Sequence, residues 1–227
     1  MRRLVLGLSI VVLIIFIMYV SLVTTHTIKE QMNEIQYGLE QYDANKTLEI
    51  IRTYDLDDST LLLSKELTPT QNFFILKQFL DRNNITYNYT RAGDPKEFIL
   101  RGGDCYDYTM FITSMIQSVY NESTVYIVVM NVVFPDGHKE GHMFPIFEYI
   151  KEENGIKVYG VYDIPTKTYF ETENSSIEHT IKQWQEKSGL AIEKIIVYKI
   201  NFENGSLISI QPIKSSILYG IKFRLEH

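Results

Sequence analysis

The chain is poor in sulfur. One cysteine, Cys105, stands among 227 residues. A single thiol excludes an internal disulfide and any zinc site built on paired cysteines. Excess positive charge is missing too: 22 Lys and Arg face 28 Asp and Glu, for a net charge of −6. With no basic stripe, the chain is not expected to bind nucleic acid. It has no Gly-rich phosphate loop, no metal-spaced His/Cys set, no internal repeat and no low-complexity tract. No cofactor or metal is expected.

Charge is absent altogether from residues 4–25, a run of 22 residues. As a helix rising 1.5 Å per residue, such a run spans about 33 Å, enough for a bilayer core of about 30 Å. Arg2 and Arg3 precede it and predict a cytoplasmic N-terminus. A cleaved signal usually has a shorter apolar core, of about 7–15 residues, and a small-x-small site. Ser21-Leu22-Val23-Thr24-Thr25 fits such a site poorly. The expectation is an uncleaved anchor over residues 1–26 in the cell membrane, with a single pass and an extracellular domain. Sequons at Asn45, Asn84, Asn88, Asn121, Asn174 and Asn204 agree with an exterior location and predict a glycoprotein where the cell glycosylates.

Residues 27–58 read as a helical stalk or linker, helical over 27–52, with Ile28, Met32, Ile35 and Leu39 forming an apolar stripe. Residues 59–224 are long enough for one domain. The closing tripeptide 225–227 reads as a cloning remnant. Within the domain a helix is expected over 69–80, capped by Thr68 with Pro69 at its first position. Residues 93–95 read as a break, and 97–100 lead to a turn. Strands are expected over 124–133, 141–150 and 156–162, a helix over 175–187 containing Trp184, and a hairpin of 191–202 with 206–213. The predicted class is α+β: an N-terminal transmembrane helix, more helices, then an antiparallel sheet packed on a cysteine-bearing helix.

That helix is the centre of the reading. Tyr108, Phe111, Ile112, Met115, Ile116 and Val119 follow Cys105 at helical spacing. Gly102 and Gly103 precede it and permit positive φ and close backbone approach. Cys105 is thus expected in the first turn, where unpaired N–H groups and the helix dipole favour a thiolate. The alternative is a buried structural cysteine. Downstream come His142 and Asp163, in the order a nucleophile, its base and its orienter would take. Antiparallel pairing of the second and third strands would bring His142 to face Asp163. Taken singly, His142 also fits a strand histidine bonded to backbone, and Asp163 the start of a Pro-Thr turn. His138 is the competing histidine, in a solvated Asp-Gly-His-Lys turn. Asp107 is expected to cap or pair structurally.

Three segments carry a family resemblance: Gly103-Asp104-Cys105-Tyr106-Asp107-Tyr108, His142-Met143-Phe144-Pro145-Ile146-Phe147-Glu148 and Asp163-Ile164-Pro165-Thr166. In that order, with gaps of 37 and 21 residues, they resemble the transglutaminase-like superfamily, the papain-like Cys-His-Asp proteins. The resemblance spans residues 95–170. It implies a papain-like core, with Cys105 as nucleophile, His142 as base and Asp163 as orienter. The implied reaction is acyl transfer: hydrolysis of an amide or isopeptide bond, or transamidation. The substrate would be a protein or a cell-wall peptide. The alternative is a catalytically inactive surface binding module of the same fold. The chain departs from the family pattern at Phe144, where Trp is common, and at the extra residue Ile164. Ile99 stands six positions before Cys105, where papain-like proteases carry a Gln oxyanion donor, so that donor is unassigned.

Overall fold

The computed structural model describes residues 2–54, 56–58, 61–203 and 206–213. The sequon at Asn204, the 203–205 turn beyond Glu203, both ends of the acidic 55–59 turn and the 225–227 tail lie outside the described residues. The chain forms two compact units, residues 1–35 and 36–227. The first belongs to helix α1 (Arg2–Gln41). Among the described residues this is the one helix long and apolar enough to cross a membrane by length and composition. Its mean hydropathy is 1.8, and none of the apolar window is buried. Phe16, Met18 and Leu22 stand exposed along it, as an apolar surface awaiting a partner would.

In the second unit, local signals set the helices. The helix expected over 27–52 is broken at Tyr42–Asp43, because Asp43 Oδ1 accepts the N–H groups of Asn45 and Lys46, both at 3.1 Å, and starts helix α2 (Ala44–Thr53) afresh. Thr68 caps α3 (Pro69–Arg82) as expected, with Gln71 bonding back to the Thr68 N–H at 2.8 Å. The segment read as a lead into the turn is a helix, α4 (Pro95–Arg101). Asp94 caps it by accepting the Glu97 N–H at 3.0 Å, and Pro95 occupies its first position. Seven residues are too few to show helical periodicity, so only the cap could have announced it. Cys105 is the first residue of α5 (Cys105–Val119).

Six strands follow: β1 (Thr124–Val133), β2 (Lys139–Lys151), β3 (Ile156–Asp163), β4 (Thr168–Glu173), then, after helix α6 (Ile177–Ser188), β5 (Ala191–Glu203) and β6 (Ser206–Pro212). They form one sheet in the order β4-β3-β2-β1-β5-β6, every neighbouring pair antiparallel. Alternation along the strands sorts the core into two layers. Phe147 and Tyr162 face the early helices, where Phe73 of α3 stacks on Tyr162 with ring centroids 4.6 Å apart. Val128, Met130, Phe144, Ile146 and Val161 face the other way and cluster with Ile181 and Trp184 of α6. Strand β4, absent from the expected plan, extends the β3 edge.

Pairing along β2 is uneven, and this positions the site. Its ladder with β1 runs to Val133↔Lys139, but its ladder with β3 stops at Ile146↔Val161. Residues 139–145 of β2 therefore have a strand on one side only. The open side is where the N-terminus of α5 comes in.

Candidate active site

Two glycines shape the turn that delivers Cys105. Gly102 has φ of 76°, and a Cβ there would lie 1.8 Å from the Thr86 carbonyl oxygen. At Gly103 a Cβ would meet the Asp107 carboxylate at 2.4 Å. Neither position admits a side chain without moving backbone or a buried acid. Asp104 is the N-cap, accepting the Tyr106 N–H at 2.9 Å. Asp107 completes a capping box by accepting the Asp104 N–H at 3.0 Å. This is the structural role expected of Asp107.

The same carboxylates temper the helix-dipole argument. An N-terminus carries about half a positive charge. Asp104 and Asp107 bring negative charge to that end, and Arg91 Nε, 3.3 Å from Asp104 Oδ2, offsets only part of it. Burial, followed by the neighbouring Asp107, pushes the Asp104 carboxyl up, against the pull of Arg91. A thiolate at Cys105 therefore needs another cation close by.

That cation is available in His142. The Cys105 sulfur reaches the open side of β2 and lies 3.9 Å from the Gly141 carbonyl oxygen. The next residue, His142, is buried, and its Nε2 lies 2.8 Å from Asp163 Oδ2. With Nε2 engaged, Nδ1 is the ring nitrogen left for the sulfur. Burial alone would lower the imidazole pKa. The Asp163 charge and hydrogen bond, and then the hydrogen bond to and charge of Cys105, outweigh it and bring His142 up to about 10. The site thus favours imidazolium, flanked by a carboxylate and the sulfur.

The strand register explains how His142 meets Asp163. Two steps beyond Ile146↔Val161, Asp163 stands across from Phe144 rather than from His142. His142 and Phe144 share a face, so the imidazole reaches Asp163 diagonally. His138 lies elsewhere: it stacks on Phe134 with centroids 4.1 Å apart and pairs with Asp136 in the solvated turn.

Asp163 is fully buried, and Oδ2 accepts two further bonds, from Thr166 Oγ1 at 2.6 Å and from Trp184 Nε1 at 2.7 Å. Trp184 also lies over the imidazole, with ring centroids 5.6 Å apart, and stacks on Phe144 at 4.9 Å. Sequence reasoning placed Trp184 on a helix but not in the site. Its being the only tryptophan was the one signal, and its partner depends on where α6 lands on the sheet. Trp184→Phe keeps the stacked ring and removes a hydrogen bond to a charged group. A loss of about 1.5–3 kcal/mol is expected, read from the urea midpoint of unfolding.

Among the described residues, no group of three or more His, Cys, Asp or Glu side chains is arranged to hold a metal ion. Compared with known proteins, the chain matches no family model, and no curated protein is significantly similar to it. The geometry defines a thiol, an imidazole and a buried carboxylate assembled in sequence at the open edge of an antiparallel sheet.

Proposed function

We propose that this chain is a transglutaminase-like cysteine enzyme with a papain-like core, performing acyl transfer through Cys105, His142 and Asp163. The observation that carries the reading is the buried 2.8 Å bond between His142 Nε2 and Asp163 Oδ2, which leaves the other ring nitrogen to the sulfur. A strand histidine with a merely structural role has no need of a fully buried carboxylate, itself held by an indole and a hydroxyl. In the reaction His142 takes the Cys105 proton and the thiolate attacks an amide or isopeptide carbonyl. The imidazolium then returns a proton to the leaving amine. Water completes hydrolysis, or an amine completes transamidation. Hydrolysis is favoured because Cys105 is only half-buried, which leaves the acyl-thioester open to water.

The apolar part of α1 supports membrane anchoring. With Arg2 and Arg3 held in the cytoplasm, the enzyme faces outward, toward surface protein or cell-wall peptide.

The test is alkylation of the full chain in detergent micelles by iodoacetamide at pH 7. If His142 holds Cys105 as thiolate, His142→Ala removes the counter-ion, and labelling falls roughly 30-fold toward that of a free cysteine at pH 7. Labelling that is the same in the variant and the parent would remove the enzyme reading and leave a surface binding module.

A further inference from the structure

The acyl-transfer reading leaves one component without a residue. An acyl transfer needs donors for the oxyanion, and Ile99, at the position six before the cysteine, is an apolar side chain buried in α4. The Cys105 N–H supplies one donor, since the first residue of a helix has no carbonyl partner four positions back. A second must come from a group beside the sulfur.

The segment 85–88 runs along the Cys turn and is fixed to it at three points. Tyr87 forms a parallel bridge with Gly103. The Asn88 N–H donates to the Gly103 carbonyl at 3.0 Å, and Asn88 Nδ2 donates to the Arg101 carbonyl at 3.0 Å. Thr86 sits so close to Gly102 that only glycine fits there. Tyr87 is therefore held beside the residues that lead directly into Cys105. Its half-buried ring rests near Tyr108 of α5, with centroids 6.2 Å apart, and edge-on to Tyr89 at 5.4 Å. After burial, Cys105 is the neighbour that acts most strongly on its phenol, ahead of Tyr89, Glu140 and Asp104. Glu140 precedes Gly141, the residue whose carbonyl flanks the sulfur.

We propose that the Tyr87 hydroxyl is the side-chain oxyanion donor of this site, working with the Cys105 N–H. The inference rests on the acyl-transfer reading. Burial, and then the negative neighbours beginning with Cys105, push the phenol pKa up, so the hydroxyl keeps its proton and is available to donate at working pH. With p-nitrophenyl acetate as probe, the thiolate forms a C–S bond and the carbonyl π pair moves onto oxygen. Tyr87 Oη–H and the Cys105 N–H bond to that oxygen. The C=O bond re-forms as the C–O bond to p-nitrophenolate breaks. Water then cleaves the thioester, giving acetate and restoring the thiol.

The experiment compares wild type with Tyr87→Phe, which keeps the ring and its contacts. Two rates are measured on the full chain: p-nitrophenolate release and iodoacetamide alkylation, the second across pH. Alkylation is a displacement at carbon that forms no oxyanion, so its rate and pH profile are expected to stay the same. Acylation is expected to fall about 10²-fold. Equal acylation in the two proteins overturns the proposal. Faster acylation also overturns it, since Tyr87 would then be shielding the sulfur. A parallel fall in both rates reduces Tyr87 to a residue that supports the turn. Failure of the underlying reading looks different, because alkylation would then be indifferent to His142→Ala, and the proposal falls with it.

Discussion

Asp163→Asn is expected to slow acylation of Cys105 at pH 7 by about 10³-fold while leaving the fold in place. The amide is isosteric, and its orientation is dictated. Trp184 Nε1 and Thr166 Oγ1 both donate to the Oδ2 position, so the amide oxygen must sit there. The His142 Nε2–H keeps its acceptor, and Nδ1 still faces the sulfur. What is lost is the charge, together with the long 3.4 Å bond from the Thr166 N–H to Oδ1, where the amide nitrogen now sits. Asp163 is the largest influence raising His142 from 6.5 to about 10 against a burial that lowers it, and each unit is a factor of ten in the stability of imidazolium. Without the carboxylate, the buried ring prefers to be neutral at pH 7 and the thiolate loses its counter-ion. Alkylation of the variant should recover at high pH, where any cysteine ionises. Stability shows the same charge with a definite sign. A histidine whose folded pKa is raised contributes stability that is whole below about 6.5 and is lost as pH rises through about 10. The wild type should therefore exceed Asp163→Asn in stability at pH 6 by more than it does at pH 10.5. Undiminished acylation at pH 7 would show that the carboxylate does not set the state of the ring.

The sequence announced the elements of this site better than their meeting. The cysteine helix, both central strands and the last hairpin follow from periodicity and turn residues. Residues 42–43 and 94–95 were harder, because there a single cap decides between a continuous helix, a break and a new helix. Such a choice is made by one side-chain oxygen. The His142–Asp163 pairing was legible from two adjacent strands, yet the diagonal reach was not, because it depends on where the ladder ends. Trp184 and Tyr87 come from elements that approach only in three dimensions. Local pattern carries no record of which helix covers which face. The early helices and α6 bury opposite faces of the same sheet with similar apolar residues.

Asp107→Ala is expected to be the most destabilising of these substitutions, costing about 4 kcal/mol or more and lowering the melting temperature by roughly 10 °C. Asp107 is fully buried and faces no cation at bonding distance among the described residues, only dipoles. Oδ1 accepts from Tyr42 Oη at 2.7 Å and from the Gly93 N–H at 3.0 Å, and Oδ2 accepts from Ala92 N–H at 2.8 Å and Asp104 N–H at 3.0 Å. Burial, and then the Asp107 charge, push the Tyr42 phenol up, so it is present as a donor. Truncation leaves three half-buried N–H groups without that acceptor and the buried Tyr42 hydroxyl with only the Asp94 carbonyl at 3.3 Å. Each unsatisfied donor costs about 1–3 kcal/mol before relaxation or water recovers part of it. Tyr42→Phe removes one donor and leaves the carboxylate with three, so a loss near 1 kcal/mol is expected there. The two carboxylates thus divide the work. Asp107 ties the end of α1, the 92–94 loop and the Cys turn into one piece, whereas Asp163 sets the charge of the base. Their variants should separate in a pair of measurements. Asp107→Ala should melt early, and whatever fraction stays folded should alkylate at least as readily at pH 7 as the parent, because a negative charge has left the α5 N-terminus. Asp163→Asn should melt near wild type only at about pH 10.5, where the raised histidine pKa no longer contributes, and lose the wild-type pH profile of alkylation. A melting temperature for Asp107→Ala within about 2 °C of the parent would mean that the loop and turn hold each other without that carboxylate.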